Sequence, residues 1–392
     1  MQHRGSWLCE PGADAGELLP DLGSEVRTAD DLSAAAKLLD SDPAENLVVI
    51  GPQAETEEAL GFASALRMVR PAVGVILVRE HTDVDLLNHA LQSGIREVVP
   101  AGDHAALAAA CRRSRDVSWR ILAATTTERA GATVDGKIIT VFTAKGGVGK
   151  TMLAINLGVA LAQRGANQVC VVDLDLASGD LAISLLLDPV RTVADAVSMS
   201  GHIDTTGAAS LLTPYRPGLE MLLAPVNPGD AEKVPPSLVG ELLATLRTMF
   251  DYVVVDTPPQ LSEHVLTALD ASAHHVLLTT PDVPALKNLR VVLDVLDMLS
   301  YPAEIRSVVL NRAESKLRLS REDVERVIRT PVAAQIPASR AVPISVNKGT
   351  PITLASPGHA VSKAINNFAR QRLLPAPVAR GGRRGRSRQR PA

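Results

Sequence analysis

Ile138-Ile139-Thr140-Val141-Phe142-Thr143-Ala144-Lys145-Gly146-Gly147-Val148-Gly149-Lys150-Thr151-Met152-Leu153-Ala154-Ile155-Asn156 decides the fold. A β-branched apolar run, Ile138 to Phe142, reads as a buried strand. Three glycines and a Lys-Thr pair come next, and then an amphipathic helix from Met152 to Gln163. Strand, glycine-rich loop and helix in that order build a phosphate-binding loop at the carboxyl edge of a parallel sheet. Gly146, Gly147 and Gly149 let backbone N–H groups turn toward phosphate oxygens, and the first helical turn adds unsatisfied N–H groups and its dipole. Residues Ala144, Gly146, Gly147, Val148, Gly149, Lys150, Thr151 and Met152 are therefore expected to line a nucleotide. Lys150 is placed to reach the β- and γ-phosphates, and the Thr151 hydroxyl to ligate Mg2+.

Working outward, the same alternation continues. Val169 to Val172, Met221 to Leu223, Tyr252 to Val255, His275 to Leu278 and Ser307 to Leu310 read as strands, and Lys287 to Leu299 as a helix. Val171-Val172-Asp173-Leu174-Asp175 ends a strand in two carboxylates one residue apart. Tyr252-Val253-Val254-Val255-Asp256-Thr257-Pro258-Pro259 delivers Asp256 to the same sheet edge, where a metal-supporting carboxylate must stand. Pro258 and Pro259 stiffen the chain just beyond that carboxylate. Val308-Val309-Leu310-Asn311-Arg312 ends a strand with an amide able to hydrogen-bond adenine, and no Asn-Lys-x-Asp stands there to select guanine.

Upstream, Leu47 to Ile50, Val73 to Val78 and Glu97 to Val99 read as buried parallel strands, with helices over Ala54 to Val69 and Val84 to Gln92. The chain is thus α/β, with two doubly wound parallel-sheet domains. The segment from Ala90 to Pro100 resembles the fourth helix and fifth strand of a two-component receiver domain. The receiver's chemistry is missing: Ile50-Gly51-Pro52 stands where a phosphorylatable Asp belongs, and Val99-Pro100 where a Lys belongs. The expected division is a degenerate receiver-like domain over 1–117, a linker over 118–136, a phosphate-loop domain over 137–375 and a disordered Arg-rich tail over 376–392.

Composition narrows the classes. At 392 residues with 46% apolar content the chain supports more than one core. Aromatics at 2% argue against a surface that stacks bases. The formal charge of −3 conceals six arginines at 380, 383, 384, 386, 388 and 390; without them it is −9. Cys9, Cys111 and Cys170 are odd in number and far apart, which suggests neither a disulfide framework nor a metal cluster and fits a reducing cytosol. No signal peptide or run of about 18 apolar residues is visible, so the expected location is cytoplasmic, with any membrane contact peripheral at its inner face.

Ala144 replaces the first glycine of the general phosphate-loop pattern, and Lys145 stands beside it. That spelling resembles the deviant loops of the MinD/ParA family, and the resemblance covers about residues 137 to 374. It implies an ATPase with ATP and Mg2+ bound between two copies of the chain, Lys145 crossing to the partner's nucleotide. It also implies that Asp173 supports Mg2+ through water beside Thr151 and Asp256, that Asp175 positions the attacking water, and that Lys145, Lys150, Asp175 and Asp256 carry catalysis. Ile336-Pro337 to Val342 resembles the family's purine-packing loop, which adds Pro337 to Asn311 as a base contact. A receiver-like domain joined to such an ATPase resembles the CpaE/TadZ group, whose members help place pilus secretion machinery, and some members are described as septum-site-determining proteins. Expected partners are a second copy and pilus, secretion or septum-site proteins. The segment Val361 to Leu374 is followed by Pro375 and an arginine/glycine tail rather than a membrane helix. That tail is open to an anionic membrane, to DNA phosphates as in ParA-type partition proteins, or to solvent alone.

Overall fold

The computed structural model describes residues 5–8, 26–42, 45–129, 135–199, 203–313 and 319–374. A five-stranded sheet is built from β1 (Gly5–Leu8), β2 (Val26–Ala29), β3 (Leu47–Ile50), β4 (Gly74–Arg79) and β5 (Ile95–Pro100) in the order β2-β1-β3-β4-β5. All four pairings are parallel. Strands β3 and β4 are buried along their whole length, as strands covered by helices on both faces must be. One face packs Val48, Ile50, Val75 and Leu77 under the helices Leu32–Ser41 and Thr56–Val69, and the other packs Leu47, Val49 and Ile76 against Leu107 and Cys111.

The second sheet has eight strands: β6 (Lys137–Phe142), β7 (Val169–Asp173), β8 (Thr213–Arg216), β9 (Leu219–Leu222), β10 (Tyr252–Asp256), β11 (His274–Thr279), β12 (Arg306–Ala313) and β13 (Val332–Pro337). Their order is β13-β12-β11-β6-β10-β7-β9-β8, and only β8 runs antiparallel to its neighbour. Helix Lys150–Ala162 buries Leu153, Leu157 and Leu161 on this sheet. Its approach depends on Gly158, since a Cβ there would stand 2.5 Å from Val171 Cγ2.

Three expectations shift at element ends. The stretch read as a linker is helical over most of its length, because the helix His104–Arg129 runs through it; residues 130–134 lie outside the described residues. Helix Val283–Met298 starts four residues earlier than the pattern from Lys287 suggests, since Asp282 caps it by accepting from Ala285 N at 3.1 Å and Pro284 fits its first turn. Strand β13 contains the Ile336-Pro337 pair read as loop. The Arg-rich tail lies outside the described residues, as does Cys9, while Cys111 and Cys170 are buried. Among the described residues no helix is long and apolar enough to cross a membrane.

The two units touch. Arg67 of the first donates through Nη2 and Nε to Asp204 of the second at 2.9 and 3.2 Å, and Arg191 donates to the Arg96 carbonyl at 3.2 Å. Val117 and Ile121, late in helix His104–Arg129, pack on Ala209.

Adjacent histidines open β11. Burial, helped by neighbouring His275, holds His274 down to about 4, and burial likewise lowers fully buried His275. His274 Nε2 is 2.9 Å from Ser307 Oγ, and His275 Nε2 is 3.0 Å from the Leu269 carbonyl. Unfolding frees both rings to take protons near the ordinary histidine value of about 6.5, so the folded state is favoured above that pH and loses stability as pH falls toward 4. Melting temperatures should therefore drop between pH 6.5 and 4.5, and His274→Gln should flatten that drop when the same scan is run by differential calorimetry.

Candidate functional site

The carboxyl ends of β6, β7 and β10 meet at one edge because β10 lies between the other two in parallel register, Asp256 opposite both Val141 and Asp173. The strands are apolar up to that point, so two carboxylates emerge side by side where the chain leaves the sheet. Both are 1% exposed.

They differ in partners. Asp173 accepts from Leu181 N at 3.0 Å through Oδ2 and from Asp175 N at 3.2 Å through Oδ1, which ties it to the start of helix Asp180–Leu185. Neither oxygen of Asp256 has a hydrogen-bond partner of good geometry. Burial pushes Asp256 up to about 7, while the nearby Thr151 hydroxyl and Lys150 ammonium pull it part of the way back and Asp175 and Asp180 oppose them. Asp173 is also raised, first by burial and then by Asp256, against its two backbone donors. Asp175 is half-buried; burial raises it, Lys150 lowers it and Asp180 raises it again. Lys150, buried at the first position of its helix, is thus the cation beside Asp175 and Asp256, in a group that Asp173 and Asp180 complete. Asp180 is a member of this group that the strand-end pattern did not reveal.

The loop is open around its first two glycines. A Cβ at Gly146 or Gly147 would meet nothing within 4 Å, and Gly147 and Gly149 hold φ of +72° and +101°. Gly146 and Gly147 are exposed, Ala144, Gly149, Thr151 and Met152 are half-buried, and Val148 is buried. An exposed row of glycines at a helix N-terminus, with a buried lysine behind it, fits a polyphosphate. An unpartnered, fully buried carboxylate beside the Thr151 hydroxyl fits a hydrated divalent cation, which brings its own waters and phosphate ligands. Among the described residues no group of three or more His, Cys, Asp or Glu side chains is arranged to hold a metal unaided, so such a cation would need the phosphates.

Lys145 sits elsewhere. Its Nζ lies 2.9 Å from Asp282 Oδ1, with both side chains 41% exposed, so it leans across the surface rather than into its own loop. Asp282 also accepts from Thr280 Oγ1 at 2.5 Å. It is a second residue missed in the sequence, although an Asp two positions before a helical Pro is a readable cap. Asn311, expected to hydrogen-bond adenine, uses its amide on the phosphate loop: Nδ2 donates to the Val148 carbonyl at 2.7 Å and Oδ1 accepts from Arg312 N at 2.9 Å. Pro337 ends β13 opposite Ala313 and is half-buried.

A profile of the CobQ/CobB/MinD/ParA nucleotide binding domain matches residues 139–352. The septum site-determining protein MinD of Thermotoga maritima is 28% identical over 244 residues, which is 60% of this chain and 88% of that protein. The cell division ATPase MinD of Pyrococcus furiosus superposes with a TM-score of 0.53 at 27% identity over 60% of this chain and 97% of that one. A ParA family ATPase from Chlorobium tepidum shares the fold with a TM-score of 0.57 at 24% identity, covering 59% and 98% of the two chains.

Gly149 and Gly146 separate stability from binding. A side chain at Gly149 would adopt φ +101° with its Cβ 2.7 Å from Asn311 Nδ2, so Gly149→Ala should cost about 1–2 kcal/mol. Gly146→Ala meets no atom and should cost less than about 0.5 kcal/mol. Urea unfolding of the nucleotide-free variants reads the difference.

Proposed function

The chain belongs to the CobQ/CobB/MinD/ParA nucleotide-binding family, and from that membership we propose that it is an ATP-hydrolysing switch whose active form is a dimer of this chain. The observation that carries the dimer is the division of labour between two lysines: Lys150 is buried among the site's carboxylates, whereas Lys145 is held outside its own loop by an exposed carboxylate. An exposed ion pair of this kind is worth at most about 1 kcal/mol, so Lys145 is available to a second copy. There it supplies a cation to the partner's transferring phosphoryl group, as an arginine finger does.

Within one copy, the N–H groups of residues 146–151 and the Lys150 ammonium hold the phosphates. Thr151, Asp256 and Asp173 would hold Mg2+, which would supply positive charge against the phosphates. Asp175, half-buried and two residues past β7, positions the attacking water. Asn311 and Pro337 flank the base.

The N-terminal unit serves docking rather than phosphotransfer. The strand order β2-β1-β3-β4-β5 supports a receiver-like fold, and a buried arginine supports its degeneracy. Arg79, 7% exposed, ends β4 and donates to the carbonyls of Gly51, Val78 and Ala54 at 2.8–2.9 Å. A guanidinium thus fills the sheet edge where an acidic pocket would have to stand. This pairing of units favours a CpaE/TadZ-like role, in which the ATP-bound dimer docks on a membrane-associated pilus or secretion complex and hydrolysis releases it. Septum-site placement is the second reading, favoured by the MinD relatives. Co-purification of the dimer with a pilus motor supports the first, and with division proteins the second.

Light scattering with ATP and Mg2+ tests the switch. Asp175→Ala should bind ATP, run as a dimer and turn over at least about 100-fold more slowly. Lys145→Ala should keep nucleotide affinity, stay monomeric and lose on the order of 10³-fold in turnover. An Asp175→Ala protein that remains monomeric with ATP would sink the dimer. Binding of DNA or anionic vesicles, measured against salt with and without residues 376–392, assigns the tail.

A further inference from the structure

We propose that Arg312, together with Asn311, is a positioning residue that braces the phosphate loop from outside and sets the direction of two phosphate-binding N–H groups. The inference rests on the nucleotide-binding reading above and assigns Arg312 a role beyond it. Arg312 comes directly after the strand-end asparagine and is exposed. Its Nη2 donates to the Gly147 carbonyl at 3.0 Å, while Asn311 Nδ2 donates to the Val148 carbonyl at 2.7 Å. Two consecutive loop carbonyls are therefore drawn to the same two residues.

A peptide unit is planar and trans, so its C=O and N–H point in opposite directions. Turning the Gly147 carbonyl toward Arg312 turns the Val148 N–H the other way. Turning the Val148 carbonyl toward Asn311 does the same to the Gly149 N–H. The brace thus aims two consecutive donors into the cradle, where they would otherwise rotate with a loop of three glycines.

Two further features show that the contact is built rather than incidental. Arg312 holds φ +53°, a conformation that side chains rarely adopt and that persists where surrounding structure enforces it; the bond from its N–H to Asn311 Oδ1 at 2.9 Å is part of that enforcement. On the loop side, Asn311 approaches Gly149 so closely that a Cβ there would stand 2.7 Å from Nδ2 and force one of them to move. Asn311 itself is 3% exposed, so the brace has a rigid root and a cationic tip.

The test uses the full-length chain, ADP and a non-hydrolysable ATP analogue, with affinities read by calorimetry and nucleotide-free melting read in parallel. Arg312→Gly removes the guanidinium while accepting the positive φ. It should leave nucleotide-free melting unchanged or higher, and weaken ADP and the analogue by the same factor, about tenfold. Arg312→Lys, able to donate once to the Gly147 carbonyl, should recover part of the loss. Weakening confined to the analogue would mean that Arg312 meets the terminal phosphate directly, and would overturn the brace. Unchanged affinities, or a melting temperature that falls in Arg312→Gly along with affinity, would overturn it too. Wild-type protein that binds neither nucleotide would overturn the nucleotide-binding reading itself, a result separate from any of these.

Discussion

Burying carboxylates at the ends of neighbouring parallel strands is the constraint around which this structure is arranged. Strand β10 can sit between β6 and β7 only if its sequence is apolar, and that apolar run ends with Asp256 opposite Asp173. Two like charges at that spacing in a dry edge cannot both be held without compensation. Asp173 takes two backbone donors, and Lys150 comes in from the next helix. Asp256 keeps two oxygens without a good partner. The buried strain in electrostatics is concentrated at the one place where a cation and phosphates could relieve it, so ligand affinity and apo stability are opposed by design.

Much of this was legible because the loop carries its own grammar. Glycines spaced for inward N–H groups, a Lys-Thr pair and a flanking strand and helix each have one physical reading, and six of the second domain's eight strands, β6, β7 and β9 to β12, begin within two residues of where apolar runs placed them. What escaped was tertiary in origin. Asp180 and Asp282 are ordinary helix-start aspartates in sequence; only the fold brings one close to Asp175 and Asp256 and the other to Lys145. Asn311 could be assigned to the sheet edge, yet whether its amide faced a base or the loop depended on how closely β12 approaches Gly149. Strands β1, β2 and β8, Gly-Ser-Trp-Leu, Val-Arg-Thr-Ala and Thr-Pro-Tyr-Arg, carry no apolar run like the Leu-Val-Val-Ile of equally short β3. The Thr-rich stretch after Val117 has weak helix propensity, and its helix is carried by continuation from His104.

The two sheets offer a controlled comparison of one architectural edge. In both, parallel strands deliver their carboxyl ends to a common rim. In the larger unit that rim holds aspartates, open glycines and a lysine. In the smaller it holds Arg79, whose guanidinium is consumed by backbone carbonyls of the β3 loop and by Thr56 Oγ1 at 3.3 Å. Burial lowers the Arg79 pKa, with Glu55 opposing. A rim stoppered in this way leaves no free carboxylate pair or open glycine loop at that edge among the residues that contact Arg79.

Helix His104–Arg129 belongs to both units: Leu107 and Cys111 lie under the first sheet, and Val117 and Ile121 rest on Ala209 of the second. Its 26 residues make a rod of about 39 Å. The two units are consequently geared rather than strung together. Each residue added between Cys111 and Val117 would advance the far end by about 1.5 Å and rotate it by about 100°, turning the Ala209-facing side away from its seat. The six-residue interval from Cys111 to Val117, more than the identity of the residues within it, keeps the smaller unit and the nucleotide-binding unit in phase.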